Sequence, residues 1–139
     1  MKKSFEEAQS SCASNGGKLF EPRNLQQNKE VADAVFEING YDGYEFWWIG
    51  VDDKEKEGSF QWSTSKQSTN FSNWSSGQPN NFYGNQDCVN MLTSYSANSD
   101  IHGKWYDTPC TELRPFICVF KYDPFDLPSY VDGSKISKV

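Results

Sequence analysis

Two groups of side chains in this chain carry oxygen atoms that could bind a metal ion or a polar ligand. Acidic residues are concentrated between Asp52 and Gly58, and Asp87 and Asp107 follow later in the sequence. The segment 78–86, immediately before Asp87, is rich in side-chain amides. Carboxylate and amide oxygens are the ligands that calcium prefers. The acidic stretch lacks the twelve-residue spacing of an EF-hand, and a solvated acidic turn explains it equally well.

The amides belong to a long polar segment that could recognise a ligand directly. Residues 64–86 contain five Ser, five Asn, three Gln and four aromatic residues but a single charge, Lys66. A loop of this length inside a compact domain is usually functional. Neutral hydrogen-bonding groups beside aromatic rings suit a hydroxyl-rich ligand, and Phe82 and Tyr83 are the best candidates for exposed contacts. The alternative is a polar insertion without a function.

Other chemistries find little support in the sequence. His102 is the only histidine, and no nucleophile motif, phosphate-binding loop or HExxH motif is present, so we expect no enzymatic activity. The formal net charge of −6 argues against binding to nucleic acid or to anionic membranes. No apolar run approaches the roughly 20 residues that a membrane-spanning helix needs, so we expect no membrane insertion.

The cysteines point to an oxidising compartment. There are four of them, at Cys12, Cys88, Cys110 and Cys118, and none forms a CxxC pair. Zinc sites usually take closely spaced ligand pairs, so two disulfides are the better interpretation. Four cysteines allow three pairings, and the residues alone leave all three open.

Two consecutive sequons agree with that compartment. Asn70-Phe71-Ser72 and Asn73-Trp74-Ser75 both match the acceptor pattern for N-glycosylation. We therefore expect a secreted or extracellular glycoprotein. Met1-Lys2-Lys3 does not open an apolar leader, and we expect the chain to be a mature or excised domain.

Local signals predict the elements that position these groups. Ser4 and Glu7 form a capping-box pattern that begins a first helix. Asn24 and Gln27 repeat it for a second helix, which we expect to end at Asn39-Gly40. Strands are predicted at 46–51, 59–63, 89–92, 104–106 and 116–120, the first as a central strand because its apolar run is nearly continuous. The length of 139 residues fits one domain, over 1–120, with 121–139 as a tail or linker.

A set of ordered motifs carries a resemblance to a known family. In chain order they are Trp48-Ile49-Gly50, Glu57-Gly58-x-Phe60-x-Trp62, Asn73-Trp74, Gln78-Pro79-Asn80, Asp87-Cys88-Val89, Trp105-x-Asp107-x-x-Cys110 and Phe116-Ile117-Cys118. With these motifs the sequence resembles the C-type lectin-like domain family over about residues 4–120. The resemblance implies an α+β fold in which two helices pack on small antiparallel sheets beside a long ligand-binding loop region. It also implies the disulfides Cys12–Cys118 and Cys88–Cys110, and a cis proline at Pro79.

The resemblance further implies a calcium ion that bridges two sugar hydroxyls to the protein. Its ligands by position are Gln78, Asn80, Gln86, Tyr106 and Asp107. The chain departs from the family at Gln86, where an amide replaces a carboxylate, and at Tyr106, where a phenol replaces an amide oxygen. Only Asp107 is charged. Because calcium affinity follows the number of charged ligands, we expect binding at this position to be weakened or absent.

An auxiliary calcium position is better supplied. Its ligands by resemblance are Asp53, Glu57, Asn81, Gln86 and Asp87, three of which are carboxylates. In the family this ion usually stabilises loop conformation and does not touch sugar. We therefore expect calcium as a cofactor, with the auxiliary position the better supported of the two.

Two functional hypotheses follow. The first is an extracellular carbohydrate-binding module that recognises glycans or glycoproteins with calcium. The second keeps the fold but binds a protein or a surface without a sugar-bridging ion, as Gln86 and Tyr106 favour. Gln78-Pro79-Asn80 combines halves of the mannose-type and galactose-type motifs and leaves the sugar open.

The start of the chain raises a further expectation. Family domains usually begin with a strand that pairs near the C-terminus, yet few residues precede the first helix. Either the chain is trimmed or that strand is absent. If it is absent, the strand at 116–120 has an open edge that could pair with a second copy and form a homodimer.

Overall fold

The computed structural model describes residues 2–38, 44–94, 99–120, 128–131 and 134–135, the last two ranges by their backbone pairing. The predicted helix stop at Asn39-Gly40 lies outside the described residues. Neither of the helices within the described residues is long and apolar enough to cross a membrane.

Both predicted helices are present. Helix α1 spans Phe5–Ser14, and its capping box is complete: the Ser4 hydroxyl accepts a hydrogen bond from the Glu7 N–H, while the Glu7 carboxylate accepts one from the Ser4 N–H. Helix α2 spans Leu25–Ile38. The predicted stripe on α2 is correct at Val31 and Val35, whereas Ile38 is 46% exposed at the helix end.

The strands form two four-stranded antiparallel sheets, and the helices pack against them. The first has the order β1-β6-β7-β8 and the second the order β3-β2-β4-β5. The strands are β1 Gly17–Leu19, β2 Glu45–Asp52, β3 Gln61–Trp62, β4 Cys88–Thr93, β5 Trp105–Thr108, β6 Ile117–Phe120, β7 Pro128–Val131 and β8 Ser134–Lys135. Strand β2 is central, as its apolar run predicts, and its neighbouring residues Trp47 and Trp48 enter two different core clusters.

The edge that the sequence left open is covered. Strand β6 pairs with β1 on one side and with β7 on the other. The pairing of β7 with β6 and β8 lies beyond the predicted domain boundary at residue 120, in a segment expected to be a tail. At the other end of the chain, Lys3 exchanges two backbone hydrogen bonds with Arg114, each 2.9 Å long. Strand β6 therefore has no open edge through which a second copy could pair to form a homodimer.

Two disulfides close the fold with the pairing that the resemblance implied. Cys12–Cys118 joins α1 to β6 across 106 residues, and Cys88–Cys110 spans 22 residues beside β4 and β5. Cross-links of this kind typically contribute roughly 2–4 kcal/mol, mainly by restricting the unfolded chain.

A buried asparagine fixes the start of β5. Asn28 on α2 is 1% exposed. Its Nδ2 donates to the Gly103 carbonyl over 2.9 Å, and its Oδ1 accepts from the Trp105 indole N–H over 2.8 Å. Because buried polar groups are costly when unpaired, this side chain ties α2 to the residues that lead into β5. Strand β5 in turn carries Asp107.

Candidate ligand-binding loop and acidic cluster

The polar loop is anchored to β5 at its middle. The Trp105 N–H donates to the Asn73 carbonyl over 2.8 Å, and the Ser75 N–H donates back to the Trp105 carbonyl over 3.0 Å. The Gln78–Pro79 peptide bond is cis. The chain then runs through residues 80–86 and enters β4, which pairs with β5. The predicted site residues on this loop therefore lie next to β5.

The Asp107 carboxylate holds the loop in place by accepting hydrogen bonds from two of its backbone amides. Asp107 is 4% exposed, and on β5 it pairs with Val89 of β4. Its Oδ1 accepts a hydrogen bond from the Asn80 N–H over 3.1 Å, and its Oδ2 accepts one from the Asn81 N–H over 2.7 Å. Both carboxylate oxygens therefore serve a structural purpose in the loop.

The loop amides are also bonded to one another. The Phe82 N–H donates to Asn80 Oδ1 over 3.2 Å and to Gln86 Oε1 over 2.9 Å. The Gln86 N–H donates to Asn81 Oδ1 over 3.0 Å. The structure thus brings Asn80, Asn81, Gln86 and Asp107 into one hydrogen-bonded network in which side-chain oxygens cap backbone amides.

Gln78 and Tyr106 differ from the rest of the predicted set. Gln78 Oε1 is buried and has no hydrogen-bond partner among the described residues. The Tyr106 hydroxyl accepts from the Ser75 hydroxyl over 2.9 Å, and its ring packs edge-on against Phe46 at 5.3 Å. The phenol oxygen is therefore bonded to Ser75 near the middle of the polar loop, a contact that the sequence did not reveal.

Two aromatic rings lie at the loop surface. Phe82 is 55% exposed and Tyr83 is 88% exposed, and their ring centroids are 4.3 Å apart. Asn81 and Tyr83 both have positive φ angles, 44° and 64°, which few non-glycine residues adopt. Both rings are therefore accessible to a ligand, and their role as ligand contacts stays a prediction.

Three carboxylates converge beside the loop. One oxygen each from Asp53, Glu57 and Asp87 lies within 4.8 Å of the other two. The Asp53 N–H donates to the Asp87 carbonyl over 3.0 Å, which fixes the two backbones. Asp53 is 1% exposed, and its Oδ2 accepts from the Gly58 N–H over 2.8 Å, whereas its Oδ1 is buried without a partner among the described residues.

The electrostatics of this cluster favour a cation. The pKa of Asp53 is raised to about 7, mainly by burial and also by Glu57 and Asp87, against the lowering effect of the Gly58 N–H. Burial and the neighbouring Glu57 also raise the pKa of Asp87. A buried, unpaired carboxylate oxygen among like charges is the donor set that a hard divalent cation satisfies. The residues present therefore fit calcium.

The comparisons with known proteins place the fold in a family. The family model described as "Lectin C-type domain" matches residues 1–120. The chain belongs to the C-type lectin family.

The relatives of this lectin domain agree in fold and sequence. Human collectin-10 is 35% identical over 118 residues, which is 85% of this chain and 38% of that protein. The chain thus spans about two fifths of the length of that curated relative. The mouse scavenger receptor C-type lectin carbohydrate-recognition domain matches with a TM-score of 0.69 and 26% identity, over 85% of this chain and 82% of that one.

A second solved structure was obtained with a carbohydrate present. The cow C-type carbohydrate-recognition domain of CD23, in the presence of a GlcNAc2Man3 oligosaccharide, matches with a TM-score of 0.66 and 27% identity. The match covers 84% of this chain and 79% of that chain. The family is one of carbohydrate-binding lectins, not of enzymes.

Several residues that shape the site of this lectin domain were missed by sequence reasoning. Asp52, which counted as part of an exposed acidic turn, is fully buried. Its two oxygens accept from the Gln61 amide over 3.0 Å and from the Ser63 hydroxyl over 2.6 Å. The signal available in the sequence was its position directly after the apolar run of β2, which places it in the sheet and leaves Asp53 to begin the turn.

The single histidine is part of the scaffold. His102 Nε2 lies 3.0 Å from Asp33 Oδ1 on α2, and its Nδ1 accepts from the Ser94 N–H over 3.3 Å. With Nδ1 as an acceptor, the neutral ring carries its proton on Nε2 and donates it to Asp33. The ring thereby joins α2 to the end of β4.

Proposed function

We propose that this domain is an extracellular module that binds glycans or glycoproteins through the loop 78–86. The network that joins Asp107 to the Asn80 and Asn81 amides carries the proposal, because it presents one loop with both polar and aromatic groups. Pre-organised hydrogen-bonding groups beside exposed rings match a sugar, which has hydroxyls at its edge and an apolar face.

The polar contacts would come from the carboxamides. Gln78 Oε1 is buried without a partner among the described residues, so a rotation of this side chain that brought the oxygen to the surface would break no hydrogen bond and would present an acceptor to a sugar hydroxyl. The side-chain oxygens of Asn80 and Gln86 both accept from the Phe82 N–H, so the amide nitrogens are the polar atoms that these two side chains would offer a sugar, as donors. Phe82 and Tyr83 would lie against the apolar face of the ring.

We further propose that calcium binds at Asp53, Glu57 and Asp87. An ion there would neutralise the repulsion among the three carboxylates and pair the buried Asp53 Oδ1. Because Gln86 precedes Asp87 directly, the cluster adjoins one end of the loop network. The ion would thus stabilise the loop from one side while Asp107 holds it from the other.

At the sugar-bridging position we propose weak calcium binding or none. Asp107 is the single carboxylate of that predicted set, and two backbone amides already occupy its oxygens. Each oxygen already shares its negative charge with a backbone N–H, and no second carboxylate of the predicted set adds charge for an ion. Tyr106 and Gln86 add neutral oxygens that are bonded elsewhere.

Calorimetry of the purified domain tests the proposal. Calcium is titrated first, followed by methyl mannoside and methyl galactoside, each with calcium or with EDTA. Heat from one ion, followed by heat from one of the sugars, supports the lectin function. If neither sugar binds at millimolar concentrations under either condition, this glycan-binding function is wrong.

A second candidate is a lectin-like domain that binds a protein or a surface without a sugar-bridging ion. The observation that favours it is that the oxygens of Asn80, Gln86 and Asp107 already cap the loop's own amides. A loop closed in this way could act as a recognition surface, with Phe82 and Tyr83 as rigid anchors. This candidate predicts binding that EDTA does not abolish and that simple sugars do not compete.

A further inference from the structure

The two sequon asparagines occupy different environments. Asn70 is exposed at a bend of the polar loop. Asn73 is half-buried, and its Nδ2 donates to the Gly103 carbonyl over 2.8 Å while its Oδ1 accepts from Lys104 Nζ over 3.4 Å. Both asparagines match the sequon pattern equally well, but the Asn73 side chain forms hydrogen bonds within the fold.

We propose that Asn70 is the N-glycosylated residue of the folded protein and that Asn73 remains unmodified. The inference rests on the extracellular location proposed above and concerns a site separate from the ligand-binding loop 78–86. It narrows the two predicted acceptors to one, and it assigns Asn73 a structural role.

The modification would follow ordinary glycosyl-transfer chemistry. The donor is an oligosaccharide linked to a lipid diphosphate, which the secretory pathway supplies. A bond forms between Asn70 Nδ2 and the anomeric carbon as the bond from that carbon to the diphosphate oxygen breaks. The nitrogen loses one proton to a base of the transferase, and the lipid diphosphate leaves with the electron pair. Nothing is oxidised or reduced.

The surroundings of Asn73 oppose the same modification there. Its backbone carbonyl accepts from the Trp105 N–H over 2.8 Å, so the residue is held against the start of β5. The Gly103 carbonyl that its side chain contacts also accepts from the buried Asn28 amide over 2.9 Å. A sugar on Nδ2 would be forced against this junction, and chains modified at Asn73 would lose contacts that hold the loop to the sheet.

The short distance in sequence between the two sequons also opposes glycosylation of Asn73. The two acceptor nitrogens are three residues apart in sequence, and Asn70 enters the transferase first during synthesis. An oligosaccharide already attached to Asn70 would obstruct a second transfer at Asn73. Chains that carry one glycan at Asn70 are therefore the ones that fold and are secreted.

The test is site mapping on the full chain secreted from cultured eukaryotic cells behind a cleaved leader. Enzymatic deglycosylation in heavy-oxygen water marks each occupied asparagine as a mass-labelled Asp. We expect the label at Asn70 alone. Ser72→Ala should remove the glycan, and the matched variant Ser72→Thr should retain it, because Thr preserves the sequon. A label at Asn73, at both positions or at neither overturns the proposal.

A second measurement tests the structural role without glycosylation. In refolded bacterial protein, Asn73→Asp removes the donor to the Gly103 carbonyl and should lower the thermal midpoint. Asn70→Asp removes the other amide at an exposed position and should leave that midpoint unchanged. Equal midpoints for the two variants would contradict the reason given for the selectivity.

Discussion

Replacement of Asp107 by alanine in calcium-free buffer should destabilise the domain strongly. The side chain is 4% exposed and accepts hydrogen bonds from two backbone amides, at 3.1 Å and 2.7 Å. The alanine variant leaves the Asn80 and Asn81 N–H groups without an acceptor. The effect requires no ion, because both bonds are formed within the chain.

The expected magnitude follows from those two bonds. Hydrogen bonds to charged groups contribute roughly 1.5–3 kcal/mol each. Asn80 is exposed and Asn81 is half-buried, so water can reach the freed amides in part, and the lower end of the range applies. We therefore expect a loss of about 3 kcal/mol for the pair. With a urea dependence of about 1.5 kcal/mol per molar, the midpoint of unfolding falls by about 2 M.

The assay is urea unfolding in EDTA, followed by the near-ultraviolet signal of the buried tryptophans. Asp107→Asn is the matched variant, because it retains one acceptor oxygen and should lose about half as much. Glu55→Ala, at an exposed position in the acidic turn, should change stability by less than about 0.5 kcal/mol. If Asp107→Ala matches wild type in EDTA and is destabilised only when calcium is present, Asp107 acts through an ion and its two backbone hydrogen bonds contribute little.

Further outcomes are expected for three other variants and for wild type. Asp53→Asn should abolish the rise in stability that calcium produces. In EDTA, the stability of wild type should increase as the pH falls from 8 through 7 toward 4, because the folded pKa of Asp53 is raised from 3.8 to about 7. The variant should show a smaller dependence on pH, because the pKa of Asp87 is raised as well. Calorimetry across this pH range should also show calcium affinity falling in acid as protons compete for the cluster. Tyr83→Ala should weaken sugar binding at least tenfold in titrations yet leave the thermal midpoint unchanged, because the ring is 88% exposed. Asn28→Ala should cost roughly 2–4 kcal/mol in chemical unfolding, because it leaves the buried Trp105 indole N–H without its acceptor and removes one of the two side-chain amides that bond the Gly103 carbonyl.

The scaffold was predictable where the signal is local or is carried by ordered motifs. The capping box at Ser4 and Glu7 lies within four residues and defines the start of α1 by itself. The apolar run before Asp52 identifies a strand covered on both faces, and β2 is that strand. The disulfide pairing followed from the resemblance, since cysteine spacing alone leaves three alternatives open.

The hydrogen-bonding state of the site was not predictable, because it depends on contacts between distant residues. Asp107 bonds to backbone amides 26 and 27 residues earlier, and a backbone amide leaves no mark in the sequence. Tyr106 was identified as a poor calcium ligand, but its bond to the Ser75 hydroxyl spans 31 residues and required the loop to be in place. Ligand positions inferred by resemblance therefore give residue types and not the partners that already occupy them.

The same limit applies to the acidic residues. Asp52 and Asp53 are adjacent and both buried, yet Asp52 is fully hydrogen-bonded by Gln61 and Ser63 while Asp53 retains an unpaired oxygen. Strand β2 ends at Asp52 and the turn begins at Asp53, so the two carboxylates meet different surroundings. The sequence shows only an acidic stretch. In the structure, β2 ends between a structural carboxylate, Asp52, and a candidate calcium ligand, Asp53.

The distribution of charge across the site bears on how many ions it can hold. Three mutually repelling carboxylates converge at Asp53, Glu57 and Asp87, where a cation would relieve repulsion and pair a buried oxygen. Asp107 is a single carboxylate, and each of its oxygens already accepts a hydrogen bond from one backbone amide, so it offers a cation less negative charge. Calcium would therefore gain more free energy at the Asp53, Glu57 and Asp87 cluster. A calcium titration that fits one ion agrees with this argument, while two ions of comparable affinity would mean that Asp107 and neutral oxygens suffice for a second site.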